Sequence, residues 1–165
     1  MELISETHVE KTWQEVGSLA PGRMNREIIA FGKDQPELLA FVMSYTEDLT
    51  PDAKELGVYL AFVVFKMFQG SQNKIRKASS KEILACYEGN VHYLKSLEGI
   101  NDRLIERIVK AQPPKQPNVM NYIIEAIMED SEESEIIELS EEDKGYLFVL
   151  LKTVMDVLDQ KAQVD

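Results

Sequence analysis

An acidic stretch near the end of the chain has the clearest spacing of metal ligands. From Met128 to Asp143 it carries nine acidic residues and no basic one. Oxygen-bearing side chains occupy positions 1, 3, 5, 9 and 12 of a helix-loop-helix calcium loop, namely Asp130, Glu132, Ser134, Glu138 and Glu141. Position 6 of such a loop requires glycine for a sharp turn, and Glu135 stands there. The stretch therefore supplies candidate ligands for a divalent cation but lacks the turn residue.

Two other interpretations of this acidic loop, residues 129–140, are open. We expect a solvated connector between two helices, and the alternative is a docking surface for a basic partner protein. The last acids of the stretch also have a structural explanation. Ser140 is the expected cap of a helix, and negative charge in the turn that follows it meets the positive end of the helix dipole.

A basic stretch contains the candidate anion-binding residues. No acidic residue occurs from Leu56 to Lys81, whereas the segment "NKIRKASSK" is rich in cations and hydroxyl groups. Its candidates are Lys74, Arg76, Lys77, Ser79, Ser80 and Lys81. At the start of a helix, backbone N–H groups point outward and would help to hold a phosphate group. We expect a solvated loop, and a contact with the protein's own acidic loop is a further alternative.

No arrangement of residues typical of an enzyme occurs in the sequence. It lacks the P-loop, nucleophile-elbow and zinc-protease motifs. Cys86 and His92 are six residues apart, which places them on opposite sides of a continuous helix, outside the reach that a nucleophile and its base need. A single cysteine also excludes a multi-cysteine metal site. We therefore predict no catalytic residue and no cofactor.

The elements that position these residues are predicted to be helices throughout. Apolar residues recur at intervals of three and four, and no strand-turn-strand pattern is present. The chain has 165 residues, of which 44% are hydrophobic, and this suits one domain. We predict a single all-α domain over residues 1–165, with seven or eight helices in an irregular helical bundle or a short α-superhelix.

Proline, glycine and capping residues mark the predicted helix boundaries. Thr7 and Thr50 are the expected caps of the first and fourth helices, and Ser79 with Glu82 is the expected capping box of the fifth. Gly32 is the expected stop of the second helix, and Gly89 offers a break in the fifth. The run from Val58 to Phe65 is apolar on nearly all sides, which predicts a central helix. Residues 112–117 form a Pro-rich connector and the candidate hinge. The predicted segments are 7–19, 21–31, 36–48, a helix from Pro51, a helix after Ser79, 101–111, 118–129 and 140–161.

Two pairs of predicted helices resemble each other in sequence. The segment "PELLAFVMSYTED" from Pro36 matches "PNVMNYIIEAIME" from Pro117 without gaps, and "LTPDAK" from Leu49 matches "LSEEDK" from Leu139. The first match has an offset of 81 residues and the second of 90, so nine extra residues fall within the acidic loop. Two explanations are open. One is the duplication of a helix hairpin, and the other is the chance similarity of amphipathic helices that begin at Pro and at Ser or Thr.

Charge and composition narrow the classes of partner. The net charge is −11, and no broad basic surface of the kind that binds nucleic acid is expected. The most apolar run is too short to cross a membrane, and the lack of a signal peptide and the single cysteine favour a cytoplasmic location. We expect a noncatalytic protein-interaction or regulatory module, with a protein partner or self-association. The alternatives are a protein that binds a divalent cation or an anionic ligand, and an enzyme of unrecognised type.

Overall fold

The computed structural model describes residues 3–71, 74–95, 115–128 and 139–162, with the backbone alone for residues 93–95. Within these ranges the chain forms an irregular bundle of α-helices without strands, so the prediction of a single all-α domain is confirmed. The helices are α1 (Glu6–Gly17), α2 (Pro21–Asp34), α3 (Pro36–Tyr45), α4 (Pro51–Gly70), α5 (Ser80–Lys95), α6 (Pro117–Met128) and α7 (Glu141–Lys161). The helix predicted at residues 101–111 lies outside the described residues.

Side-chain caps explain where several helices begin. The hydroxyls of Thr50 and Ser140 accept hydrogen bonds from backbone N–H groups three residues later, at 3.3 and 3.0 Å, as predicted. The first helix differs from its prediction, because Ser5 and not Thr7 is the cap. The Ser5 hydroxyl accepts from the N–H of His8 at 3.1 Å while its own backbone stays extended, so Thr7 already lies in the first turn.

The prediction that Gly32 ends the second helix is wrong. Helix α2 continues to Asp34, and the chain turns at Gln35, immediately before the proline that opens α3. Gly32 instead allows a close approach, because a Cβ atom there would lie 2.9 Å from Cδ2 of Leu39. Helix α5 likewise continues through Gly89, so the break that this glycine offered does not occur.

The core is built on two long central helices, α4 and α7, which make the most extensive contact among the described elements. Every residue from Leu60 to Phe65 is buried, which confirms the prediction that α4 is central. Helix α7 is equally central, since every residue from Leu147 to Leu151 is buried. Helix α1 packs on α4, and helices α5 and α6 pack on α7. Because these stretches of α4 and α7 are buried, a ligand can contact the two helices only near their ends, or it can contact the outer helices.

Candidate ligand cleft

A cleft of about 440 Å³ lies where α2 and α4 end, beside the segment that leads into α5. Its lining residues are Asp34, Gln35, Phe65, Gln69, Lys74, Ile75, Arg76 and Lys77. Three of the predicted anion-binding residues are therefore brought to one cavity. A volume of this size falls in the range of small-ligand and peptide-side-chain sites.

The inner part of the cleft is apolar. Phe65 is 3% exposed and stacks on Phe31 with ring centroids 4.4 Å apart. Ile75 is half-buried and packs against the core. Packed aromatic and aliphatic groups of this kind give a ligand a fixed apolar contact. Because Phe65 is almost fully covered, Ile75 supplies most of the apolar surface that an aliphatic group of a ligand would contact.

The rim of the cleft is predominantly basic. Lys74, Arg76 and Lys77 are exposed, and Asp34 is the acidic residue among the lining side chains. The Asp34 carboxylate is approached by the Nε2 of Gln69 at 3.5 Å. Lys74 and Lys77 against the Asp34 carboxylate leave a positive rim, to which carboxylate or phosphate oxygens would be attracted.

The buried amide of Gln35 holds the basic segment in place. Its Nε2 donates to the backbone carbonyl of Arg76 at 2.9 Å, and its Oε1 accepts from the N–H of Ala78 at 3.0 Å. The N–H of Arg76 in turn donates to the carbonyl of Lys161, the last residue of α7, at 3.0 Å. Because these bonds fix the backbone, Lys74 and Lys77 project from an anchored segment, which lowers the entropy lost on binding.

The remaining predicted anion-binding residues do not line the cleft. Ser79 and Glu82 form the predicted capping box, in which each side chain bonds to the other residue's N–H at 3.2 and 3.0 Å. The Ser80 hydroxyl donates to Oε2 of Glu37 at 2.6 Å. Lys81 is exposed on the first turn of α5. The start of α5 is thus already bonded to the protein's own carboxylates, and the binding of an external anion there stays a prediction.

Most of the predicted calcium loop lies outside the described residues, including Asp130, Glu132, Ser134 and Glu138. Glu141 is described: it lies in the first turn of α7, where its Oε1 is 3.6 Å from the Nζ of Lys144. In the described ranges, no group of three or more His, Cys, Asp or Glu side chains is placed to hold a metal ion. Calcium binding by the acidic loop therefore stays a prediction.

Cys86 does not form a nucleophilic pair with His92. Helix α5 is continuous through both residues, with Cys86 half-buried and His92 exposed. Burial, followed by the nearby negative charge of Asp156, raises the pKa of the Cys86 thiol. A raised pKa favours the thiol over the reactive thiolate at neutral pH.

A closed polar network lies next to Cys86, between α5 and α7. The Nδ2 of Asn90 donates to Thr153 at 3.0 Å and to Asp156 at 3.2 Å, and Lys152 donates to Oδ1 of Asn90 at 2.8 Å and to Asp156 at 2.9 Å. Each polar group thus has a partner inside the protein. The network explains the burial of Asn90 and has a structural role.

The sequence prediction found the cations of the cleft but missed Gln35, Gln69 and Phe65. One signal was present: a glutamine precedes the helix-opening proline in both of the similar helix pairs, as Gln35–Pro36 and Gln116–Pro117. Each of these glutamines is 1% exposed. The repeated Gln-Pro pair marks both positions in the sequence, and the burial of the two amides requires that they be hydrogen-bonded.

Comparisons with models of protein families, with curated proteins and with solved structures find no match for this chain. Within the described part of the chain, no helix combines the length and the apolar character that crossing a membrane requires. The functional inference therefore depends on the geometry and chemistry of the cleft.

Proposed function

We propose that this protein is a noncatalytic interaction module that binds an acidic segment of a partner protein in the cleft between α2, α4 and the segment from Lys74 to Lys77. One observation carries the proposal: two lysines, Lys74 and Lys77, are held on an anchored backbone beside a cavity of about 440 Å³ with an apolar interior. The partner segment would place carboxylates on the basic rim and an aliphatic side chain against Ile75.

An acidic peptide suits this cleft better than a single anion does. An exposed ion pair contributes only about 0.2–1 kcal/mol, so one carboxylate on this rim would bind weakly. Several carboxylates on one chain add their contributions, and an apolar side chain adds the burial of its surface. The expected complex is salt-dependent and of modest affinity, as is usual for a transient interaction.

A small ligand that carries a phosphate or carboxylate group is the second candidate. The same rim would attract it, and the volume of the cleft would admit it. Nucleic acid fits less well, because the chain has a net charge of −11 and the basic rim of the cleft is short. We propose a cytoplasmic location, on the ground of the single cysteine.

Calorimetric titration with a short peptide of glutamate, aspartate and leucine tests the proposal. We expect saturable 1:1 binding that weakens as salt is added, and no binding of a peptide in which glutamine and asparagine replace the acids. In the double variant Lys74→Glu with Lys77→Glu, we expect the affinity to fall about tenfold or more. Competition by inorganic phosphate at similar affinity would favour the small-ligand alternative instead.

The matched control is Lys11→Glu with Lys115→Glu. Both residues are exposed, neither lines the cleft, and the net charge changes by the same amount. We expect this variant to bind the acidic peptide within about twofold of the unaltered protein, because long-range charge is screened by salt. Equal losses in the two double variants would show that binding follows net charge, and would overturn the assignment to the cleft.

A further inference from the structure

We infer that six of the described helices form two copies of one helical unit, related by an internal two-fold axis between α4 and α7, and that each copy holds the start of the other copy's first helix. Helices α1, α3 and α4 of the first copy correspond to α5, α6 and α7 of the second. The similarity in sequence between the helix pairs α3–α4 and α6–α7 is one part of the support. The contacts below are independent of it, and the inference does not depend on the proposed function.

The pairs of helices that contact each other stay the same when the two copies are exchanged, although the extent of the paired contacts differs. The contact of α1 with α4 has its counterpart in that of α5 with α7, and the contact of α3 with α4 in that of α6 with α7. The contacts between copies also occur in equivalent pairs: α1 with α6 matches α5 with α3, and α3 with α7 matches α6 with α4. Such reciprocal pairing is the property of an isologous, two-fold interface.

The Oε1 atoms of the two buried glutamines accept equivalent hydrogen bonds across the copies, whereas the Nε2 atoms donate differently, to the carbonyl of Arg76 from Gln35 and to Oδ1 of Asp159 from Gln116. Oε1 of Gln116 accepts from the N–H of Ile4 at 2.9 Å, and Oε1 of Gln35 accepts from the N–H of Ala78 at 3.0 Å. Ile4 and Ala78 occupy the same place, since each is buried and directly precedes the serine that caps α1 or α5. Each glutamine also directly precedes the proline that opens α3 or α6.

The residues at the third position after the two cap serines are equivalent as well. The imidazole Nε2 of His8 lies 3.0 Å from the carbonyl of Met67, in the last turn of α4. The carboxylate of Glu82 pairs with Lys161, in the last turn of α7. The chemistry of the two contacts differs, but each joins the first turn of an outer helix to the end of its central helix. The architecture is thus shared while the side chains have diverged.

The centre of the interface shows the position of the axis. A Cβ atom on Gly57 of α4 would lie 2.9 Å from Cδ2 of Leu147 of α7. With the offset of 90 residues that aligns α4 with α7, Gly57 and Leu147 are equivalent positions. A residue that faces its own counterpart lies close to a two-fold axis.

The test is a circular permutant of the full chain that begins at residue 73, ends at residue 72 and joins Asp165 directly to Met1. Eight residues, 71–78, separate the end of α4 from the cap Ser79, and the new junction places eight, 162–165 followed by 1–4, between the end of α7 and the cap Ser5. If the copies are equivalent, the new junction repeats the existing connection. We expect a monomer with an unchanged helical circular-dichroism spectrum and a Tm within about 5 °C of the parent.

A second permutant, with a long glycine-serine linker at the same junction, serves as the comparison. Folding of both permutants with similar Tm supports the inference, because the direct junction then spans the required distance without strain. A protein that folds only with the long linker, or with neither junction, overturns it. The loss of the Gln116–Ile4 bond in the direct permutant, seen as rapid hydrogen exchange at Ile4, would also overturn it.

Discussion

Tyr45 and Tyr146 exchange hydrogen bonds: the hydroxyl of Tyr45 donates to the backbone carbonyl of Tyr146 at 3.0 Å, and the hydroxyl of Tyr146 donates to the carbonyl of Tyr45 at 2.7 Å. Their rings stack with centroids 4.0 Å apart. The pair joins the end of α3 to the first turns of α7, so it links the two copies of the helical unit.

The first prediction concerns the hydroxyl groups of this pair. Tyr45 is more buried than Tyr146, so its hydroxyl has less access to replacement water. We expect Tyr45→Phe to lower the free energy of unfolding by about 0.5–1.5 kcal/mol, and Tyr146→Phe to lower it by less. Urea denaturation monitored by circular dichroism measures both values. A larger loss for Tyr146→Phe would contradict the assigned burial.

The same tyrosine predicts a loss of stability in alkali. Burial, with the nearby Tyr87 and Tyr146, raises the pKa of Tyr45 well above its ordinary value of 10.0. Because the pKa is higher in the folded protein than in the unfolded chain, this contribution to stability is full below pH 10 and falls as the pH rises above it. We expect the unaltered protein to lose stability above pH 10 more steeply than Tyr45→Phe. Parallel pH profiles of the two proteins would contradict this.

The second pH prediction concerns Glu82. Its hydrogen bond with Lys161, with that from the N–H of Ser79, lowers the pKa of the carboxyl group from 4.5 to about 2. The pKa is lower in the folded protein, so this stabilisation is present above pH 4.5 and is lost as the pH falls toward 2. We expect Glu82→Gln to lower the Tm at neutral pH by on the order of a few degrees, since the pair is partly exposed, and to change it little near pH 2.

A matched control for Glu82→Gln is Glu15→Gln. Glu15 pairs with Lys11 at 3.9 Å within one helix, and both side chains are largely exposed. We expect almost no change in Tm at any pH, because exposed pairs of this kind contribute little. An effect equal to that of Glu82→Gln would mean that net charge, and not the bond to Lys161, sets the acid dependence.

We expect the substitution of glycine by alanine to have opposite effects on stability at Gly57, which lies at the internal axis, and at Gly89, which does not. An added methyl group at Gly57 would lie 2.9 Å from Leu147 and 3.2 Å from Thr46, both fully buried. Overpacking costs about 1–3 kcal/mol and the gain in helix propensity returns at most about 1 kcal/mol, so we expect Gly57→Ala to destabilise the protein. At Gly89, in the middle of α5, nothing lies within 4 Å, and we expect Gly89→Ala to stabilise it by about 0.5–1 kcal/mol.

The hydrogen bonds that Gln35 and Gln116 accept predict which backbone N–H groups lose protection from hydrogen exchange when each glutamine is replaced. In Gln35→Ala, we expect faster hydrogen exchange at the N–H of Ala78 and no change at Ile4. In Gln116→Ala, we expect the reverse, since that glutamine accepts from Ile4. Each effect should thus appear in the opposite copy. Hydrogen exchange followed by NMR at the two amides distinguishes this pattern from general destabilisation, which would accelerate both.

Gln35→Ala also connects the cleft with the fold. Since the Gln35 amide fixes the backbone that carries Lys74 and Lys77, its loss should weaken acidic-peptide binding without any change in charge. Gln116→Ala removes a buried amide that does not line the cleft and should leave the binding unchanged. If both variants bound the acidic peptide with equal affinity, the bonds from Gln35 to the backbone would not be needed for binding.

The local determinants of the helices could be predicted from the sequence. Thr50, Ser79 and Ser140 act as caps because the bond that each makes is to an N–H three residues away, and such bonds depend on adjacent residues alone. The run from Val58 to Phe65 predicted the central place of α4, because a helix that is apolar on nearly all sides has no face suited to solvent.

The cleft could be predicted only in part. The local cluster of Lys74, Arg76 and Lys77 was visible, but its separation from Ser79 and Ser80 was not. The hydroxyls are engaged by Glu82 and Glu37, and the partnership with Glu37 joins residues 43 positions apart. Contacts over that distance are set by how helices pack and leave no periodic signal in the chain.

By itself, the sequence determined that this chain folds as helices, where most of them begin, and that α4 is buried. Only the tertiary structure decided that α7 is equally buried, because polar residues on it find partners far away in the chain: Thr153 with Asn90, and Asp159 with Gln116. The physical reason is that helix formation depends on neighbouring residues, whereas the burial of a polar group depends on a hydrogen-bonding partner that folding alone brings within reach.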